Sequence, residues 1–354
     1  MDRIAALVDD ALARNIASAA VLSIGDAGSE VERLVRGRFR RLPEPGDPID
    51  ERAWFDVASL TKPIVTVASA MVLVGENKLR LDDPITRWIP ASPSTGTVRD
   101  LLGHAAGCIA HVEFFKAMRE GDHPAPRGEL LDRVCAVPAN PPGVATVYSD
   151  LGYIQLGVIV ERAAGMPLEQ AYAELVAGPL GLAARYAGTT PLAGAVATEI
   201  DDWRGPVCGL VHDENAYYAG GICGHAGLFA TLGDVATFAR AIVDTHAGHT
   251  RGRLQPEIVQ QFARESPIPS TTWRLGFDTP SSELGISQAG DRWPRAGAIG
   301  HTGFTGTSLW LDLPRRRWVV LLTNRVHPTR FGTSADDMKA LRRAVMDAAV
   351  ELLG

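Results

Sequence analysis

The sequence predicts an α+β fold, with one antiparallel sheet built from both ends of the chain and flanked by helices. Two strand-like runs lie near the start, at 19–24 and 31–39, and two lie near the end, at 308–313 and 318–323. Turn residues separate the members of each pair, as in hairpins. From about residue 81 to 211 the patterns are mostly helical, with many Pro and Gly breaks. The middle of the chain is therefore expected to form a mostly helical lobe.

Amphipathic helices at both ends of the chain are expected to cover the sheet. Their apolar stripes are Ile4, Leu7, Val8 and Ala11 in the first helix, and Met338, Leu341, Val345, Ala348 and Leu352 in the last. A chain of 354 residues is long for a single core. We therefore divide it into a sheet-and-helix domain, residues 1–80 together with 225–354, and an inserted helical lobe, residues 81–224. The functional site is expected in the cleft between them.

Composition excludes several classes of protein. Hydrophobic residues make up 46% of the chain and charged residues 21%, an ordinary globular balance. The net charge of -6 gives no sign of the basic surface with which proteins bind nucleic acid. No cationic segment followed by a long apolar run is found, and the apolar run 63–75 is too short to cross a bilayer. We expect a cytoplasmic protein without membrane partners, whose four cysteines are reduced packing residues.

Ser59 and Lys62 are the residues with the clearest catalytic chemistry. Pro63 and an apolar run follow them, and proline is tolerated in the first turn of a helix, so Ser59 is placed at a helix N-terminus. In helical geometry Lys62 lies on the same face. A serine hydroxyl is a weak nucleophile until a neighbouring base takes its proton, which a buried, neutral lysine does. The same spacing also arises by chance, as an N-cap serine and a surface lysine.

Two further motifs support that pair. Tyr148-Ser149-Asp150 follows a Pro-Pro-Gly turn and opens an apolar helix that ends at Gly165; a plain helix cap is the alternative. His301-Thr302-Gly303 lies late in the chain beside a predicted strand, where a glycine-rich strand entry is the alternative.

With these motifs the chain resembles the serine β-lactamase and penicillin-binding-protein superfamily. It is most similar to the class C β-lactamase-like branch, which includes esterases and D-amino-acid peptidases. That family orders its motifs as S-x-x-K, Y-x-N and K-T-G. Here the order is Ser59-x-x-Lys62, Tyr148-x-Asp150 and His301-Thr302-Gly303, within a match from about 54 to 325. The resemblance implies a β-lactamase/transpeptidase-like fold, in agreement with the predicted sheet and helical lobe.

The resemblance also implies roles for individual residues. Ser59 would attack a carbonyl and form an acyl-enzyme, with Lys62 and Tyr148 moving protons; which of the two is the base stays open. The backbone N–H groups of Ser59 and Phe304 would form the oxyanion hole, each contributing about 3 kcal/mol to the transition state. Substrate-binding positions would be Asp150, His301, Thr302 and Gly303.

Two positions depart from the family pattern. Asp150 stands where the family has Asn, and as an anion beside Lys62 it would raise the pKa of that lysine and make it a poorer base. His301 stands where the family has Lys. An unperturbed histidine is mostly neutral at pH 7.5 and can still donate one hydrogen bond. This pattern resembles the esterase-type members more than true β-lactamases.

We therefore expect a serine hydrolase that acts on a small-molecule carboxylic ester or amide and needs no cofactor. The alternatives are a β-lactamase or a D,D-peptidase or D-aminopeptidase, an acyltransferase, and a catalytically silent binding protein of the same fold. A metal site at His212, Asp213, Glu214 and His225 is not expected, since their spacing matches neither H-E-x-x-H nor a zinc finger. A hydrogen-bonded structural role is preferred for these four residues. The oligomeric state is left open.

Overall fold

The computed structural model describes nearly the whole chain. The described residues are 1–27, 29–121, 123–126, 128–331 and 335–354. The sequence offers Ser334 and Asp337 as caps for the start of the last helix, and Ser334 lies outside the described residues.

The main sheet joins the two ends of the chain, as predicted. Its strands follow the order β2–β1–β10–β9–β8, and every neighbouring pair is antiparallel. The chain's strands are β1 (Ala19–Asp26), β2 (Ser29–Gly37), β3 (Phe55–Asp56), β4 (Arg185–Tyr186), β5 (Ala197–Asp201), β6 (Gly205–Cys208), β7 (Leu228–Ala230), β8 (Ala298–Thr302), β9 (Ser308–Asp312) and β10 (Arg317–Thr323).

Helices cover both faces of this sheet, which explains why β1 is buried at every position except Asp26. On one face, alternate residues such as Leu22, Val319 and Leu321 pack with α1 (Asp2–Ala13) and with the C-terminal helix (Ala335–Leu353). On the other face, Val21, Val320 and Leu322 belong to the larger core that continues into the lobe. The predicted α+β class is thus confirmed.

Helices make up most of the regular structure in the middle of the chain, and most of them are short. In chain order the helices after α1 are α2 (Ala68–Gly75), α3 (Ile85–Trp88), α4 (Val98–Leu102), α5 (Phe115–Met118), α6 (Glu129–Cys135), α7 (Asp150–Ala164), α8 (Leu168–Tyr172), α9 (Gly178–Leu180), α10 (Glu214–Tyr218), α11 (Leu232–His246), α12 (Pro256–Phe262) and α13 (Ala335–Leu353). The prediction missed the small sheet β3–β7–β4 and the hairpin β5–β6, whose strands are too short to show a period.

A core helix carries the Ser59 motif. A 3₁₀ turn (Ala58–Leu60) leads into a π-helical turn (Lys62–Val67) and then into α2. The whole segment Ala58–Gly75 is long and apolar enough to cross a membrane by length and composition, because it begins earlier than the predicted run 63–75. Since 83% of it is buried inside the protein, we read it as the central helix of the core.

Candidate active site

Ser59 lies just after a strained residue at the start of the core helix. Ala58 has a φ of 48°, a left-handed conformation that costs a non-glycine residue energy. The carboxylate of Asp56 holds this turn, because Oδ1 accepts the N–H of Ala58 at 2.8 Å and Oδ2 accepts the N–H of His212 at 2.6 Å. Ser59 is thereby left half-buried at the wall of a cleft.

Lys62 is fully buried and points its ammonium at Ser59. Its Nζ lies 3.0 Å from the Oγ of Ser59, 2.7 Å from the Oδ1 of Asp150 and 3.3 Å from the carbonyl oxygen of His225. The predicted common face of Ser59 and Lys62 therefore exists in the structure. The ion pair with Asp150, expected from the departure at that position, is also present.

The second motif lies where α7 begins. Ser149 caps this helix by accepting the N–H of Gly152 on its Oγ at 3.1 Å, so Asp150 stands in the first turn, where the helix dipole favours a carboxylate. The ring of Tyr148 packs between Trp273 and His104, with centroids 5.2 and 4.8 Å away. The Nζ of Lys62 lies 4.8 Å from the centre of the Tyr148 ring.

Charge pairing decides the protonation of Lys62 and Asp150. Burial by itself lowers the pKa of Lys62, but the combined attraction and hydrogen bonding of Asp150 and Tyr148 outweigh it and raise that pKa above its ordinary value. Burial likewise works to raise the pKa of Asp150, but Lys62 together with His111 and His225 outweighs it and lowers that pKa well below the usual range. Both partners are therefore charged at neutral pH. Burial raises the pKa of Tyr148, and hydrogen bonding to Lys62 and Ser59 opposes this rise only in part.

His301 lies on β8 and is buried, with 3% of its surface exposed. Burial and the charge of Lys62 lower the pKa of His301 to about 3, so the ring is neutral. Its Nδ1 is 2.9 Å from the carbonyl oxygen of Thr302, which only accepts, so Nδ1 carries the proton. The single N–H of the neutral ring is therefore engaged within the protein, and Nε2 is left as an acceptor.

The end of β8 is clamped against the turn that holds Ser59. The Oγ1 of Thr307 donates to the carbonyl of Val57 at 2.9 Å, and the Oγ1 of Thr305 donates to that of Asp56 at 2.8 Å. A Cβ at Gly303 would lie 2.5 Å from the carbonyl oxygen of Val57, so only glycine permits this approach. Within the described residues, the N–H of Phe304 donates to no backbone carbonyl.

These elements surround one cleft of about 580 Å³. Its walls bring together Ser59, Tyr148, Asp150, His301, Thr302, Gly303 and Phe304. Lys62, which is wholly enclosed, reaches Ser59 from behind the wall. Every residue proposed from the sequence for this site therefore lies at or directly beside the cleft. Half of the Phe304 side chain is exposed at its rim.

The four residues weighed as metal ligands make hydrogen bonds or ion pairs. His212 Nε2 is 2.9 Å from Glu199 Oε2, and His225 Nε2 is 3.1 Å from Asp213 Oδ1. Glu214 pairs with Arg330 at 2.5 Å. Among the described ranges no three His, Cys, Asp or Glu side chains are grouped so as to hold a metal ion.

Several residues of the cleft were not predicted from the sequence, and three of them contact residues that were. His111 contacts Asp150, with Nδ1 3.2 Å from Oδ2. Trp273 stacks on Tyr148, and Arg325 lies over Phe304 with its guanidinium carbon 4.4 Å from the ring centre. His111 and Trp273 stand in irregular segments without a period or a motif, so no signal in the sequence points to them. Arg325 follows the apolar run of β10, and the family resemblance had included its position.

Comparison with known proteins agrees with this geometry. The family model described as Beta-lactamase matches residues 4–343. A protein of Escherichia coli (strain K12) named "Putative D-alanyl-D-alanine carboxypeptidase" is 31% identical over 308 residues, which cover 77% of this chain and 69% of the relative. Among solved structures, a class C β-lactamase from Rhodobacter sphaeroides superimposes with a TM-score of 0.76 at 17% identity, covering 100% of both chains. EstCE1, a hydrolase with promiscuous acyltransferase activity, superimposes with a TM-score of 0.73 at 22% identity, covering 98% of both.

Proposed function

Because the chain belongs to the beta-lactamase family of hydrolases, we propose that it cleaves carboxylic esters or amides through an acyl-enzyme on Ser59. The observation that carries this proposal is the contact of 3.0 Å between the Nζ of Lys62 and the Oγ of Ser59 at the wall of the cleft. A lysine buried to this extent beside a serine has no packing reason to be there, since alkyl side chains fill such space at lower cost.

In the proposed reaction the Oγ of Ser59 attacks the substrate carbonyl carbon and its proton passes to the Lys62–Tyr148 pair. The tetrahedral oxyanion accepts hydrogen bonds from the backbone N–H groups of Ser59 and Phe304. The leaving group departs with a proton from the same pair, and water then attacks the acyl-serine by the reverse proton path. The strained turn at Ala58 supports the scheme, because it fixes the direction of the Ser59 N–H before substrate binds.

The resting charges of the site favour alkaline activity. Lys62 is protonated beside Asp150, so the pair must first lose one proton before it accepts that of Ser59. A pKa of Lys62 raised above its ordinary value makes the proton-accepting form scarce at neutral pH and more abundant as the pH rises. We therefore expect kcat/KM to increase with pH above 7.

We further propose that uncharged acyl groups, such as those of short esters, are preferred. The neutral ring of His301 stands where related enzymes have a lysine, and the charge of Lys62 is already balanced by Asp150. Neither Lys62 nor His301 thus offers an unpaired cation to a substrate carboxylate.

Arg325 favours a second candidate, a D,D-carboxypeptidase-like activity, of the kind named for the Escherichia coli relative. Its Nε donates to the carbonyl of Phe304 at 2.7 Å, and among the described residues no carboxylate forms an ion pair with it. A guanidinium that lines the cleft is suited to hold a substrate carboxylate.

A substrate comparison tests both candidates. We would measure kcat/KM for a p-nitrophenyl ester, a D-alanyl-D-alanine peptide and nitrocefin, with Ser59→Ala as the blank. The ester should be turned over fastest, and the blank should be inactive on all three. If the wild-type protein favours nitrocefin or the peptide, the preference for uncharged acyl groups is wrong. Activity that survives Ser59→Ala would remove Ser59 from the proposal.

A further inference from the structure

We propose that His111 is a positioning residue that adjusts the proton affinity of the Lys62–Tyr148 pair through the carboxylate of Asp150. This inference rests on the proposed function and concerns the same nucleophile. It begins from a line of polar contacts that runs from Ser59 to the protein surface.

That line is continuous. Ser59 Oγ is 3.0 Å from Lys62 Nζ, Lys62 Nζ is 2.7 Å from one oxygen of Asp150, and the other oxygen of Asp150 is 3.2 Å from His111 Nδ1. The exposed fraction of the side chain rises along it, from 0% at Lys62 through 18% at Asp150 to 42% at His111. A change in the protonation of the half-exposed His111 therefore acts on the buried Lys62 through the single carboxylate of Asp150.

The chemistry of Asp150 suits it to this bridging position. A carboxylate accepts on both oxygens, so it binds a donor on each side. A carboxamide accepts only on its oxygen and would turn its NH₂ group toward either Lys62 or His111. The backbone joins the same two segments, because the N–H of Asp150 donates to the carbonyl of Ala110 at 2.9 Å. A carboxylate at position 150, where the family has Asn, therefore allows Lys62 and His111 to be bound at the same time.

The charges facing His111 come from three elements. Asp150 lies on α7, Asp213 caps α10, and Glu113 stands on the same loop as His111. Asp213 is engaged by His225, and Glu113 by Lys116. The hydrogen bond to Asp150 outweighs partial burial, and the three carboxylates add to it, so the pKa of His111 is raised from its ordinary value near 6.5. His111 therefore holds its positive charge to a higher pH than an unperturbed histidine.

The sign of the effect follows from this arrangement. When His111 is an imidazolium, it shares the negative charge of Asp150, and the Lys62–Tyr148 pair releases its proton more readily. When His111 is neutral, the whole carboxylate charge acts on Lys62 and holds that proton. At acid pH the charged His111 thus offsets part of the activity that protonation of Lys62 removes.

The test measures how fast an uncharged fluorophosphonate labels Ser59 between pH 5.5 and 9, followed by intact mass. His111→Gln keeps an N–H donor but does not titrate. It should label roughly three- to tenfold more slowly than wild type at pH 5.5 and at the same rate at pH 9. His249→Gln, a change at an exposed histidine outside the cleft, should match wild type at both pH values.

Equal rates for His111→Gln and wild type at both ends of the range overturn the proposal. So does the same slowing at both ends, which is what a merely structural role would produce. An NMR titration gives a second readout without turnover: the His111 pKa should lie above 6.5 in wild type and fall in Asp150→Asn, and an unchanged value also overturns the proposal. Absence of any Ser59 label in wild type would instead contradict the proposed function.

Discussion

Two buried bases lie at the same cleft and carry opposite protonation states. Lys62, on the core helix, has a carboxylate oxygen at 2.7 Å, and the pKa of its ammonium is raised. His301, on β8, is bonded to a carbonyl and lies near the charge of Lys62, and its pKa falls to about 3. Both side chains are almost wholly buried. The comparison teaches that the presence of a counter-charge, more than the depth of burial, decides which base is charged.

The two sides of the cleft also differ in charge and hydrogen bonding. The helix side holds the ion pair of Lys62 and Asp150, which we propose moves protons during the reaction. The strand side holds the neutral ring of His301, whose Nε2 is buried and has no hydrogen-bond partner among the described residues. The changes below test this difference.

The largest effect is expected on the helix side. Lys62→Ala and Tyr148→Phe should each lower kcat by about 10²-fold or more, the scale of a lost acid–base group. Because the two residues act in one proton path, the double variant should lose little more than either single variant. Steady-state kinetics on the preferred ester measure this, with Lys78→Ala, at an exposed lysine outside the cleft, as the control. Full additivity would mean that the two groups work independently.

Removing the counter-charge should make Lys62 behave more like His301. Asp150→Asn takes away the anion that raises the pKa of Lys62, so the accepting form appears at lower pH. The acid limb of the kcat/KM profile should move down by about one pH unit or more. Asp213→Asn removes a carboxylate that lines the same cleft but pairs with His225, and should move the limb less. An acid limb that stays in place in Asp150→Asn would show that Asp150 does not hold the proton of Lys62.

The smallest effect is expected on the strand side. His301→Lys adds an ammonium, but burial and repulsion from Lys62 both lower its pKa, so only part of its charge is gained. The ratio of kcat/KM for nitrocefin to that for the ester should therefore rise by at most about tenfold. A tenfold change corresponds to about 1.4 kcal/mol. A hundredfold rise would mean that a full positive charge is tolerated there, and the contrast with Lys62 would fail.

The sequence predicted those parts of the site that depend on local geometry. The spacing of Ser59 and Lys62 on one helix predicted their contact, and the departure at Asp150 predicted the ion pair. The order of the strand runs predicted the main sheet, because hairpins at both ends of the chain have few other ways to pair.

The remaining features depend on packing between distant segments. His111 meets Asp150 across 39 residues, and Trp273 meets Tyr148 only because an irregular loop folds over the cleft. The burial of His301 likewise depends on its neighbours and not on its own segment, so the contact of its Nδ1 with the Thr302 carbonyl could not be predicted. The left-handed turn at Ala58 has no signature either, since alanine is not a residue that favours it.

The central claim is that Ser59 is the nucleophile, and covalent labelling tests it most directly. The wild-type protein would be treated with a fluorophosphonate, and the modified residue located by intact mass and peptide mapping. One label on Ser59, absent in Ser59→Ala and much slower in Lys62→Ala, is the predicted result. A label on another serine, or one that persists in Ser59→Ala, would contradict the account.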